Sequence, residues 1–261
     1  MEYTLEKLSN DSYVQRVASA KYCPKFNPTN ENIEWAKWSW NPVTGCLHGC
    51  PYCYAMKRAE NPFYAKIFPT QFRPTFHVDR LSAPDNHRIP AKRKGEPGIN
   101  NVFLCSMADL YGDWVPEDWI HPILAVAGAH PEYNFICLTK NPRRYPDFKF
   151  PPNIWLGATA DTQKRFDTAI SIFDKMDVGN IKFLSCEPLL ESIGYTEQQV
   201  GILDWMIIGG LKRSENTNRQ PKREWVDNLI EFARKSDAKI YFKTNLTVQT
   251  SLAITPKEFP E

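Results

Sequence analysis

The sequence predicts an α/β fold in which parallel strands alternate with helices. Three observations carry that prediction. Short apolar runs recur from residue 101 onward, amphipathic stretches separate them, and 261 residues at 42% apolar content suffice for one large buried core or two small ones. The runs are "NVFLCS" (101–106), "NFICLT" (134–139), "NIWLGAT" (153–159), "IKFLSC" (181–186), "DWMIIGG" (204–210) and "KIYFKT" (239–244). They are nearly continuous in apolar residues rather than alternating, the pattern of strands covered on both faces. Repeated strand–helix–strand units wind right-handedly into either a barrel or an open doubly wound sheet.

In chain order, residues 1–32 read as a peripheral arm, with "LEKLSNDSYVQRVA" (5–18) a helical candidate. "KWSWNP" (37–42) adds a strand before a cysteine-rich loop and brings the count to about seven, one short of a full barrel. The segment 54–100 is rich in Pro and is expected to hold one helix after Cys53 and then a surface excursion. "PEDWIHPILAVAGAH" (116–130) opens on Pro and two acids, a helix start, and sets Ile120, Ile123, Leu124 and Ala127 on one face. "TQKRFDTAISIFDKM" (162–176) does the same with Phe166, Ala169, Ile170 and Phe173, and "KREWVDNLIEFARKS" (222–236) with Trp225, Leu229 and Phe232. The strand–helix part is bounded at 33–245, leaving 246–261 as a C-terminal tail.

Net charge is +2, but residues 54–95 hold nine Lys and Arg against three Asp and Glu. A basic segment interleaved with Phe63, Tyr64, Phe68, Phe72 and Phe76 suits phosphate-bearing partners and stacked bases, and a solvated loop is the plainer reading. No apolar run approaches the roughly 18 residues of a membrane span. The N-terminus lacks the apolar core of a signal peptide. Seven cysteines is an odd number, which argues against a disulfide framework and for a reducing cytoplasm.

"TGCLHGCPYCYA" (44–55) places Cys46, Cys50 and Cys53 within eight residues. Structural zinc wants four ligands, and here His48 is the only nearby candidate for the fourth. A thioredoxin-like dithiol, Cys50-Pro51-Tyr52-Cys53, leaves Cys46 without a role. A [4Fe–4S] cluster held by three thiolates leaves one iron with an open position for a small molecule, which gives a reason for three cysteines rather than four. Cys105, Cys137 and Cys186 lie inside apolar strands as small core residues, with a spare reactive thiol as the alternative reading. Cys23 has no assigned role. His77, His87, His121 and His130 show no metal spacing and read as packing or surface residues.

The spacing Cys46-x3-Cys50-x2-Cys53, with aromatic Tyr52 before the last Cys, resembles the signature of radical S-adenosylmethionine (SAM) enzymes. "IEWAKWSWNPVTGCLHGCPYCYA" (33–55), "FLCSMADLYGDWVP" (103–116), "ICLTKNPRR" (136–144), "NIWLGATADTQ" (153–163), "FLSCEPLL" (183–190) and "DWMIIGG" (204–210) resemble successive blocks of the phage Gp37/Gp68 group, also labelled DUF5131. After Gly209-Gly210 that group commonly continues with Glu and a Gly-rich turn, where this chain reads "LKRSENTNRQP". The resemblance implies a TIM-like partial (β/α) barrel of six to seven parallel strands. It implies a [4Fe–4S] cluster on Cys46, Cys50 and Cys53, and an electron donor of the flavodoxin or ferredoxin type. SAM would be cleaved reductively to methionine and a 5′-deoxyadenosyl radical that takes hydrogen from the substrate.

It further implies that Tyr52 lies beside the SAM adenine and that Ser106 and Asp109, ending "NVFLCS", meet the SAM amino group. Thr159 and Asp161 fall where the ribose hydroxyls bind, Glu187 ends the next strand, and Gly209 and Gly210 let backbone approach the adenine. Helix capping is the plainer reading of Asp161 and Thr162. Lys140, Arg143 and Arg144 follow "NFICLT" and could hold a substrate phosphate or carboxylate, or form a solvated turn. The favoured substrate is a nucleic acid or nucleotide-like molecule; Thr-Gly-Cys followed by Tyr-Cys-Tyr-Ala also resembles the loop of spore photoproduct lyase. A peptide-modifying radical SAM enzyme and a non-enzymatic Fe–S or zinc protein are the alternatives.

Overall fold

Every one of the seven apolar runs contains a strand, because each is long enough to be paired on its edges and covered on its faces. The computed structural model describes residues 3–17, 22–212, 218–252 and 255–260. Residues 18–21 of the N-terminal arm, 213–217 of the stretch after Gly210, and 253–254 and 261 of the tail lie outside the described residues. The chain forms two compact units, Met1–Cys137 and Leu138–Glu261.

In the first unit β1 (Tyr3–Lys7) pairs antiparallel with β2 (Tyr13–Val17), and β3 (Asn27–Pro28) lies antiparallel to β4 (Trp38–Trp40). β5 (Val43–Thr44) leads into the cysteine loop, and α1 (Tyr54–Ala59) follows it. Then come β6 (Thr75–His77), α2 (Ala83–Asn86), β7 (Asn101–Leu104), α3 (Glu117–Gly128) and β8 (Asn134–Thr139), the strand in which the division falls. β4, β7 and β8 are parallel neighbours in chain order, registered Trp40↔Leu104 and Leu104↔Cys137. A separate sheet has the order β1-β2-β6-β5.

In the second unit β9 (Ile154–Thr159), α4 (Gln163–Lys175), β10 (Lys182–Cys186) and β11 (Trp205–Ile208) precede a short ribbon of β12 (Leu211–Lys212) and β13 (Asn218–Arg219). α5 (Arg223–Lys235) and β14 (Lys239–Phe242) complete it. β9, β10, β11 and β14 are again parallel neighbours in chain order, and all are buried apart from the first residues of β10 and β14. Among the described residues no helix is long and apolar enough to cross a membrane.

α3 buries Ile120, Ile123, Leu124 and Ala127, and α4 buries Phe166, Ala169, Ile170 and Phe173, the faces read from the sequence. α5 differs. Its buried stripe is Val226, Leu229, Ile230 and Ala233 with Phe232, while Trp225 sits at the margin with the Lys222 ammonium 5.6 Å above its ring. The i, i+3, i+4, i+7 repeat starts one residue later than the large Trp suggests.

In place of the helical arm expected at 5–18, the described residues 3–17 form a hairpin. Asn10 Oδ1 accepts the Ser12 N–H at 3.3 Å and Asp11 adopts φ +59°, so a side-chain-closed turn interrupts any helix. Tyr13, Val14 and Val17 then favour the strand. The segment 54–100 is less superficial than expected, since Phe68, Phe72 and Phe76 are all buried and Phe76 stacks on Trp119 at 5.5 Å. Residues of the tail are also docked: Glu258 accepts the Trp205 Nε1–H through its carbonyl at 2.9 Å and pairs with Arg234 at 2.8 Å.

His87 is buried in an aromatic cage, 4.7 Å from Phe26 and edge-on to Trp38 at 4.3 Å, and among the described residues its Nε2 meets no hydrogen-bond partner. Burial, then the nearby Lys25 and Arg88, push its pKa down from 6.5 to about 4. The unfolded chain therefore takes up a proton that the folded chain refuses. Stability from this group is complete above the unfolded value of 6.5 and declines as pH falls toward 4. His77, held neutral by burial and then by Arg80, adds to the same slope. Urea unfolding at pH 7 and pH 5 should show a large loss for the wild type and a smaller one for His87→Phe; equal losses would contradict the cage's role.

Candidate functional site

The cysteine loop leaves β5 at Thr44 and enters α1 at Tyr54. Gly45 has φ +89°, and a Cβ there would lie 2.1 Å from the Arg73 carbonyl oxygen, so only glycine fits. Its N–H donates to the Met107 carbonyl at 2.9 Å, and the Cys46 N–H donates to the Phe72 carbonyl at 3.1 Å. The Cys53 N–H closes a turn on the Cys50 carbonyl at 3.0 Å. Cys53 Sγ accepts the Met56 N–H at 3.3 Å, which caps α1 with a sulfur. Cys46 and Cys53 pack with Met56, Tyr64 and Met107 against Ala55, Ala59, Phe68 and Phe72. All three loop thiols are free of disulfides and half-buried, and the Tyr52 ring is half-buried as well.

Cys46 is the most electrostatically constrained of the three sulfurs. Burial first, then the negative charges of Asp109, Cys53 and Cys50, push Cys46 up to about 12, and the His48 backbone N–H works against them. Thiolates in such a field need a cation to offset them, and soft sulfur donors select thiophilic metals. In donor chemistry the loop fits an iron–sulfur or zinc centre. Among the described residues no set of three His, Cys, Asp or Glu side chains already stands in a metal-holding arrangement, so what the thiols share is a loop.

One pair in this unit escaped sequence reasoning. His48 Nε2 lies 2.7 Å from Asp109 Oδ2, and Asp109 is only 5% exposed. The other Asp109 oxygen accepts the Tyr111 N–H at 3.1 Å, and the His48 ring stands edge-on to Trp114 at 4.8 Å. Ser106 and Asp109, singled out as strand-end residues, thus both face the cysteine loop. The Ser106 hydroxyl donates to Asn41 Oδ1 at 3.1 Å, and its carbonyl accepts the Tyr54 hydroxyl at 2.6 Å. A polar residue just past an apolar run, and a His between two cysteines, were both visible in the sequence; their pairing across 61 positions was not.

In the second unit Lys140 donates to Thr159 Oγ1 at 3.3 Å, and Thr159 is buried. Asp161 is fully buried with both oxygens held by Arg165 Nη1 at 2.5 and 2.6 Å. Thr162 occupies the N-cap position of α4 without a side-chain bond; the Glu191 carboxylate accepts the Gln163 N–H at 2.6 Å instead. Glu187 Oε1 meets Lys243 Nζ and Asn245 Nδ2, each at 3.0 Å. A Cβ on Gly209 would lie 2.9 Å from Glu187 Cγ, and one on Gly210 2.6 Å from the Gln220 amide. The close approach these glycines permit is used by the chain's own side chains. Lys243, 2% exposed, ends an apolar run just as Glu187 does, so the same strand-end rule could have found it. Arg143 is exposed, and Arg144 lies 5.7 Å over the Phe148 ring.

The basic segment is largely committed. Arg73 pairs with Asp11, Arg80 donates to the Asn41 carbonyl at 2.8 Å, Arg88 to the Asp85 carbonyl at 2.7 Å, and Arg93 pairs with Glu96 at 2.9 Å. Of the five aromatics read as interleaved with its charges, Phe68, Phe72 and Phe76 belong to the core, and Arg58 covers the Tyr64 ring at 4.7 Å. Cys105, Cys137 and Cys186 are buried, with thiols pushed up by desolvation, Cys137 to about 12. They are core residues.

A family model described as "Protein of unknown function (DUF5131)" matches residues 30–254. No curated protein and no solved structure matches the chain.

Removing the carboxylate that holds His48 should loosen the cysteine loop. Asp109→Ala should cost about 1–3 kcal/mol, the range for stranding a buried hydrogen-bonding partner, with Asp109→Asn losing less. In metal-free protein the alanine variant should also alkylate faster at Cys46 and Cys50, read by mass spectrometry. Unchanged rates and stability would show that the pair does not hold the loop.

Proposed function

We propose, from the premise that this chain belongs to the DUF5131 family, that it is a radical SAM enzyme acting on a nucleic acid or nucleotide-like substrate. One observation carries the reading: three free thiols on a single loop, spaced Cys46-x3-Cys50-x2-Cys53, tethered through backbone and side chain to the turn that follows β7. Parallel strands that neighbour one another in chain order within each unit support a partial (β/α) barrel; a doubly wound sheet reverses that order at its switch point.

Cys46, Cys50 and Cys53 would hold a [4Fe–4S] cluster, leaving one iron for SAM. Bound there, cluster and SAM together supply a 5′-deoxyadenosyl radical for hydrogen abstraction. The chain's own residues position and bias. The Met56 N–H fixes the direction of Cys53 Sγ, and the His48 N–H offsets part of the burial that raises Cys46. Asp109 orients His48, and Gly45 admits the tight turn behind Arg73. Tyr52 borders the cluster loop. On the second unit, Lys140 is oriented by Thr159, and with Arg143 and Arg144 it offers cations to a phosphate.

The competing reading is zinc. His48 turns Nε2 to Asp109, and a metal-bound histidine commonly gives its other nitrogen to a carboxylate, so Nδ1 could join the three sulfurs in a Cys3His site.

Oxygen-free protein loaded with iron and sulfide should convert SAM to 5′-deoxyadenosine on addition of dithionite, and Cys50→Ala should abolish the product. A wild type that makes none, or that retains stoichiometric zinc against iron loading, contradicts the reading. Binding to an oligonucleotide should weaken steeply with salt, and Lys140→Ala or Arg143→Ala should each reduce the log–log slope by about 1. Salt-independent binding would remove the proposed substrate class.

A further inference from the structure

The outermost strand of the first unit is open along one side. β1 ends the sheet β1-β2-β6-β5, all five of its residues are exposed, and among the described residues only β2 pairs with it. Such an edge presents a row of N–H and C=O groups to any strand that can match it, and proteins commonly blunt it with a proline, a bulge or a covering loop. Residues 3–7 hold no proline, and their register with β2 runs unbroken from Tyr3↔Val17 to Lys7↔Tyr13.

The hairpin fixes which backbone groups face outward. The Leu8 N–H donates to the Ser12 carbonyl at 2.8 Å, one step beyond the Lys7↔Tyr13 pair. Bonded and non-bonded pairs alternate along an antiparallel ladder. Leu8, Glu6 and Thr4 therefore direct their backbone groups to β2, and Tyr3, Leu5 and Lys7 turn theirs to the open side. The opposite strand agrees: the Tyr13 N–H, across from Lys7, donates away from β1 to the Pro74 carbonyl at 2.8 Å. Tyr3, Leu5 and Lys7 also share one face of the sheet, because side chains alternate along a strand, and Tyr3 and Leu5 are exposed there.

We propose that β1 pairs antiparallel with β1 of a second copy of this chain, about a two-fold axis at Leu5. In that register Leu5 faces Leu5 and Tyr3 faces Lys7 on either side, each pair exchanging two N–H···O=C bonds between outward groups. The side chains match as well. Leu5 covers Leu5, the Lys7 stem lies against the Tyr3 ring, and Glu6 stands opposite the neutral Thr4, so no like charges are opposed. Moving the axis to Glu6 sets two carboxylates against each other, and moving it to Thr4 pairs only Tyr3 with Leu5 among the outward groups of residues 3–7. The Lys7 ammonium is an edge charge of the kind that discourages pairing, but it already sits 2.9 Å from Asp11. The strand is thus complementary to itself, and its pairing joins the four-stranded sheets of two copies into one.

Sedimentation velocity of the full chain over about three decades of concentration should show a monomer–dimer equilibrium. Leu5→Lys and Leu5→Glu, which put like charges face to face, should each weaken dimerisation by roughly tenfold or more. Thermal melting of the monomers should be unchanged, since residue 5 makes no backbone bond to β2. An equimolar mixture of the two variants should dimerise again, because a Lys then meets a Glu across the axis. A wild type that stays monomeric throughout overturns the pairing, as does a dimer that both charged variants retain. A mixture that stays monomeric overturns the Leu5-to-Leu5 register.

Discussion

Three thiols on one short loop can serve one centre only while the loop keeps its shape, and that shape has to be fixed from outside. The turn after β7 does the fixing. Met107 receives the Gly45 N–H, Ser106 receives the Tyr54 hydroxyl, and Asp109 receives His48, so the loop is tied before its first cysteine, in its middle and after its last. Asn41 completes the arrangement from the loop's own side, accepting both the Ser106 hydroxyl and the Met107 N–H. Gly45 is the hinge that makes this approach sterically open.

The second unit handles polar groups at its strand ends differently. Its charges are neutralised over short distances, Asp161 by Arg165 one helical turn away and Glu187 by Lys243. Side chains held this way keep one orientation, which is what a binding surface needs from its supporting residues. Gly209 and Gly210 belong to the same device, since Glu187, Asn245 and Gln220 pack where their side chains would be.

The strands were legible in the sequence because burial on both faces leaves uninterrupted apolar runs, and α3 and α4 because each presents a complete stripe. α5 was read one residue early because Trp225 outweighs Val226 in bulk but not in burial. The N-terminal hairpin was missed because Asn10 closes its turn with a side chain, a local bond that apolar periodicity does not report. In the site, the cysteines could be found because they are neighbours in sequence. His48 with Asp109, and Glu187 with Lys243, meet only through the fold. The aromatics of 54–95 looked like a stacking surface until burial separated Phe68, Phe72 and Phe76, which make core, from Phe63, which stays in water.

X-ray absorption at the iron and zinc edges, on protein isolated without oxygen, addresses the centre most directly. The account predicts iron surrounded by sulfur, with iron–iron scattering from a cluster and no stoichiometric zinc. A zinc edge with three sulfurs and one nitrogen per chain, and no iron, would contradict it.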